Sequence, residues 1–110
     1  MEPRKEVKEF AELMEEKLRE NDYKGHWSGC SYAYLIQRLH EEVKELHEAL
    51  SSFVIGQSMP RDLSGSYSIE QYGEVEDECR DVSNIAMMIA DNCKHLRDNK
   101  EDYKYFIRMK

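Results

Sequence analysis

The chain has few of the residues that interrupt regular structure. Five glycines and two prolines among 110 residues argue against disorder over most of its length. It lacks a long apolar run. The longest, Ile85-Ala86-Met87-Met88-Ile89-Ala90, falls far short of the roughly 20 residues that span a bilayer, so no membrane partner is expected. The opening residues, Met1-Glu2-Pro3-Arg4-Lys5-Glu6, carry no apolar segment of the kind a signal peptide needs. Cys30, Cys79 and Cys93 are odd in number and unclustered. They read as reduced thiols of a cytoplasmic protein and lack the paired spacing of a structural zinc site. Basic charge is also in the minority, with 16 Lys and Arg against 23 Asp and Glu and a net charge of −7. No basic stripe is available to release counterions, which argues against a nucleic-acid polymer as partner. A small phosphate ligand stays open, because a metal can offset its charge.

Several chemistries are missing as well. There is no P-loop, no Gly-x-Gly-x-x-Gly and no Gly-x-Ser-x-Gly. A di-iron bundle wants Glu-x-x-His on each of two helices. Here Glu45 is followed at that spacing by Glu48, and Glu78 by Asp81.

What the chain does have is helical periodicity. Val7, Phe10, Met14 and Leu18 predict a first helix over residues 4–21, with Pro3 before it and Asn21, Asp22 and Gly25 to stop it. A second helix is expected over residues 31–52, with Ser31 as N-cap and an apolar arc of Leu35, Ile36, Leu39, Val43, Leu46 and Leu50. His40 and His47 lie off that arc and read as surface residues. A third helix is expected over residues 69–97, with Ser68 and Gln71 forming a capping box and Gly73 a weak spot. Its face of Val75, Val82, Ile85, Ile89, Cys93 and Leu96 is joined by Met87 and Ala90 nearer the other side, which suggests burial on more than one side and a subunit interface. Residues 53–68 break the period and read as a long loop with Arg61 as its only cation. Residues 100–109 offer a short fourth helix or docked tail anchored by Tyr103, Phe106 and Ile107. The expectation is an all-α antiparallel helical bundle, residues 1–110 as a single domain, completed by self-association because so small a chain has a modest core.

Two carboxylate pairs stand out against this background. At about 100° per residue, Glu42 falls beside Leu35, Leu39, Leu46 and Ala49, with Glu45 about 60° further round. Glu78 sits likewise among Val75, Val82, Ile85 and Ile89, with Asp81 beside it. A carboxylate on the core side of a helix is costly unless it is paired or bound to a cation. Two such helices can bring four oxygen ligands together, and oxygen donors without imidazole or thiolate suit Mg²⁺ or Mn²⁺. A solvated acidic face is the competing reading, since a chain with 23 acids throws up this spacing by chance. Between the first two helices, residues 22–29 mix aromatic, basic and glycine residues. Trp27 there is either a buried loop anchor or a wall on which a base stacks, with Lys24 or His26 touching phosphate.

These residues resemble the MazG-like all-α nucleoside triphosphate pyrophosphohydrolases. The likeness lies in Glu41-Glu42-x-x-Glu45-Leu46, an irregular loop, Glu78-x-x-Asp81-Val82, and the earlier Lys24-Gly25-x-Trp27. It runs from about residue 21 to residue 93. It implies hydrolysis of a nucleoside triphosphate between the α and β phosphates, giving monophosphate and pyrophosphate. It also implies Mg²⁺ held by Glu42, Glu45, Glu78 and Asp81, and a homodimer or dimer of dimers with the pocket near the subunit boundary. Cys79 stands where Leu or Ile is more usual, and residues 53–68 hold few of the basic residues expected to grip phosphates.

On this reading a carboxylate such as Glu42 acts as base on the attacking water. Glu41, about 100° round the helix, is a helper beside it or a surface residue. Glu74 is a substitute ligand, one turn before Glu78. Asn84 hydrogen-bonds a base or sugar, or is a polar surface residue. Two other functions remain in view: a non-catalytic nucleotide or metal sensor, and a purely structural helical interaction module.

Overall fold

The computed structural model describes residues 2–58 and 69–98, and these are all α-helix, 3₁₀ turn or short connection, with no strand among them. The apolar period of the first segment produces α1, Lys5–Glu20, with Phe10, Met14 and Leu18 half-buried on one side. Arg4 in extended conformation is its N-cap, and Asn21 closes it by donating from Nδ2 to the Lys17 carbonyl at 3.1 Å. Two 3₁₀ turns follow, Asp22–Lys24 and Trp27–Gly29. Gly25 between them has φ of 91°, the left-handed region where a Cβ is strained. The His26 ring caps the second turn, its Nδ1 accepting from the Ser28 N–H at 3.0 Å.

The second helix, α2, is Tyr32–Ser58. Ser31 caps it as expected, with Oγ accepting from the Tyr34 N–H at 3.2 Å. The helix does not stop near residue 52. It continues through Phe53 and Gly56, because one glycine in a helix costs only about 1 kcal/mol and the Phe53 ring meets Tyr72 edge-on at 4.9 Å across the hairpin. The third helix, α3, is Ile69–Asp98. The proposed capping box at Ser68, the cation Arg61 and the tail of residues 100–109 lie outside the described residues.

Cross-helix contacts set the directions. Phe53 meets Tyr72, Glu42 meets Glu78 and Asp81, and Trp27 meets Asp91 and Asn92. Position falls along α3 as it rises toward and along α2, so the two helices are antiparallel. Met14 and Lys17 of α1 reach Asn84 and Asp81 in the same reversed order. The result is an antiparallel bundle in which α3 is central.

Its interior is unusual in composition. Among the described residues the nearly fully buried apolar side chains are Leu35 and Ile85, 2% and 8% exposed, whereas the buried polar ones are Ser31, Glu42, Asn84 and Asn92. Val43 and Leu50, expected on the core arc of α2, are instead 46% and 47% exposed. The arc of α2 is wider than the strip that α3 covers, and α1 packs chiefly on α3. His40 and His47 are exposed, as expected, while on α3 Met87 is half-buried and Ala90 exposed.

Candidate metal centre and adjoining cavity

Glu42 projects from the middle of α2, and Glu78 and Asp81 project from one turn of α3. Because the helices run antiparallel with these positions abreast, one carboxylate oxygen of each lies within 4.8 Å of the others. Glu42 is 5% exposed, and Glu78 and Asp81 are half-buried. Glu42 Oε2 and Glu78 Oε2 are buried with no hydrogen-bond partner. An unpartnered buried carboxylate oxygen is among the costlier groups a fold can carry.

The acids raise one another's pKa. Burial pushes Glu78 up to about 7, and the charges of Glu45, Asp81 and Glu42 add to it. Glu42 is raised by burial first and then by Asp81 and Glu45, with Arg38 opposing. Asp81 is raised by burial, against the pull of Lys17 and with help from Asp77 and Glu45. Glu45 is exposed at the rim rather than inside the triad. Its charge still helps to raise both Glu42 and Glu78.

A cavity of about 440 Å³ opens beside the triad, with Glu42 and Asp81 in its wall. Three cations share that wall: Lys17 from α1, Lys24 from the first 3₁₀ turn and Arg38 from α2. Lys17 Nζ stands 3.9 Å from Asp81. Arg38 forks across two acids, from Nη1 to Glu41 at 2.6 Å and from Nη2 to Glu42 Oε1 at 2.5 Å. Burial alone lowers the Arg38 pKa, but the hydrogen bond to Glu41 and the charges of Glu42 and Glu41 outweigh it and hold the pKa above the usual value. These cations come from α1, the first 3₁₀ turn and α2, not from residues 53–68. Arg38 carried a local signal, a cation one turn before Glu42, but Lys17 carried none.

The remaining expected residues divide. Trp27 lines the cavity and is also an anchor, with Nε1 donating to Asp91 Oδ2 at 3.0 Å and its carbonyl accepting from Asn92 Nδ2 at 3.1 Å. His26 stacks on it with ring centroids 4.1 Å apart. Asn84 is buried, not a surface residue. Its Nδ2 donates to the Met14 carbonyl at 3.2 Å, tying α1 to α3, and Oδ1 is left without a partner in the cavity wall. Glu41 is exposed and outside the triad, its carboxylate engaged by Arg38 and Gln37. Its place is to hold Arg38. Glu74 is exposed and is no member of the triad.

The donor set fits a hard divalent cation: oxygen donors alone, from two helices, with a buried unpartnered oxygen on two of the three residues. No family model, curated protein or solved structure matches this chain.

Proposed function

We propose that this protein is an Mg²⁺-dependent nucleoside triphosphate pyrophosphohydrolase of the MazG-like kind, converting a nucleoside triphosphate to the monophosphate and pyrophosphate. The observation that carries the reading is the acid triad with its unpartnered buried oxygens, opening on a cavity walled by three cations and an aromatic ring. A solvated acidic face would not bury Glu42 and leave its oxygen without a protein partner.

Glu42, Glu78 and Asp81 hold the metal, with Glu45 joining from the rim. Mn²⁺ suits the same donors. When bound, the ion offsets the charge that grows on phosphate oxygens as the anhydride bond breaks. Lys17, Lys24 and Arg38, which line the cavity together with Glu42 and Asp81, bind the polyphosphate. Trp27, fixed by Asp91 and Asn92, offers a rigid face to the base, and the free Oδ1 of Asn84 accepts from a base or sugar. A carboxylate of the cluster takes the proton from the attacking water, a role to which its raised pKa is suited. The exposed Val43 and Leu50 favour a homodimer or dimer of dimers that covers them.

The test is pyrophosphate release from a panel of nucleoside triphosphates with Mg²⁺. Asp81→Asn removes several kcal/mol of charge stabilisation and lowers kcat/KM by about a hundredfold or more. Nucleotide binding without turnover would make the protein a sensor. Neither binding nor turnover would end the reading.

A further inference from the structure

Arg38 occupies an odd position for a phosphate-binding residue, because its guanidinium already lies on a proposed metal ligand. Nη2 sits 2.5 Å from Glu42 Oε1, and Nη1 sits 2.6 Å from Glu41. Glu42 is the most buried of the acids, and its other oxygen has no partner. Arg38 is therefore the one cation paired with Glu42 among the described residues, and its side chain, 38% exposed, also lines the cavity.

We propose that Arg38 is a resident counter-cation that a divalent metal displaces from Glu42, and that the displaced guanidinium then takes the polyphosphate of the incoming ligand. The inference rests on the metal reading of the triad and adds a regulation of that site. The fork geometry makes the exchange possible. Glu41 holds one arm of the guanidinium while the other arm leaves Glu42, so the group turns within the cavity wall without being lost to solvent. Two cations cannot share Glu42 without repulsion in a partly desolvated site. Metal alone must then compete with Arg38 and binds weakly. Metal arriving with a polyphosphate gives Arg38 a new anionic partner, so the two ligands favour each other. The site thereby prefers the metal–polyphosphate complex to free metal.

The experiment compares wild type with Arg38→Gln in the full chain. Mn²⁺ alone is titrated by electron paramagnetic resonance, and Mg²⁺ with inorganic tripolyphosphate is titrated by calorimetry. Removing the competitor tightens Mn²⁺ binding by about threefold to tenfold, while loss of the bidentate donor weakens tripolyphosphate by about tenfold. These opposite signs are the signature. A residue with a merely structural role would weaken both. Mn²⁺ binding by Arg38→Gln that is no tighter than in wild type overturns the proposal while leaving the metal site standing. Absence of Mn²⁺ binding in wild type at millimolar concentration overturns the metal reading and this inference with it. Should Arg38→Gln not fold, Arg38→Met carries the same test. It keeps the apolar stem and removes the charge, so Mn²⁺ again binds more tightly and tripolyphosphate more weakly, and an unchanged Mn²⁺ affinity counts against the exchange.

Discussion

Two polar clusters lie along α3 and obey opposite rules. At Asp91 and Asn92 the helix grips the loop that carries Trp27, donor to acceptor, through the indole N–H and the backbone carbonyl. Asp91 also pairs with His95 at 3.3 Å. About three helical turns earlier on the same helix, Glu78 and Asp81 face Glu42, acid against acid, with buried oxygens left open. The first cluster has an amide oxygen without a partner too, on Asn92, but it is neutral and its N–H₂ is spent on holding the loop. The Asn92 amide ties the loop to α3 by its N–H₂ group. The open acceptors of the acid cluster are carboxylate oxygens, whose burial costs more, and that cost is what the proposed metal site would offset.

The largest expected effect separates the clusters outright. Glu78→Gln should abolish the Mg²⁺- or Mn²⁺-dependent rise in Tm; the stabilisation behind that rise, for a wild-type site at a hundred times its Kd, is about 2.7 kcal/mol. The same change should raise the Tm of the metal-free protein, because every charge acting on Glu78 is an acid. A lower metal-free Tm with the metal response intact would mean that Glu78 belongs to the fold.

Next in size is a pH dependence. The Glu78 pKa rises from 4.5 unfolded to about 7 folded. Between those values the folded state binds more protons than the unfolded one, so metal-free stability falls as pH rises through that window. Thermal melts without metal should give a higher Tm near pH 5.5 than near pH 8, and added Mg²⁺ should stabilise more at the higher pH. A flat profile would show that the acids are already neutralised by other means.

Asn92→Ala probes the other cluster. It strands the Trp27 carbonyl and should cost about 1–3 kcal/mol in chemical denaturation, while Mn²⁺ affinity holds within about twofold because no triad member is touched. Coupled loss of metal binding would erase the distinction between the clusters. The smallest effect is expected at Gly73, where an added Cβ meets nothing within 4 Å. Gly73→Ala should stabilise the helix by about 0.5–1 kcal/mol and leave both clusters alone.

Much of this arrangement was legible in the residues. Helical period placed α1 and α3 to within a residue or two at the described ends, and the Ser31 cap was readable from its hydroxyl. The core-side position of Glu42 and Glu78 was readable from their angle to Leu35 and Ile85. Harder to read was the end of α2, since a glycine alone does not say whether Phe53 will find Tyr72. Arg38 was available from its spacing to Glu42 but is easily passed over, because cations on helix surfaces are common. Asp91 and Asn92 had no local signal, since their partners lie more than sixty residues away.

Amino-acid order alone determined that the chain is helical, which stripe of each helix is apolar, and which acids interrupt those stripes. These are properties of neighbours three and four positions apart, and a helix carries its own geometry. Only the packing decided which stripes are covered. It left Val43 and Leu50 exposed, drew Lys17 of α1 to the acids, turned Asn84 inward as a tie between helices and put Glu45 at the rim. Rotation of one helix against another is set by all of its contacts at once, and no local spacing records it.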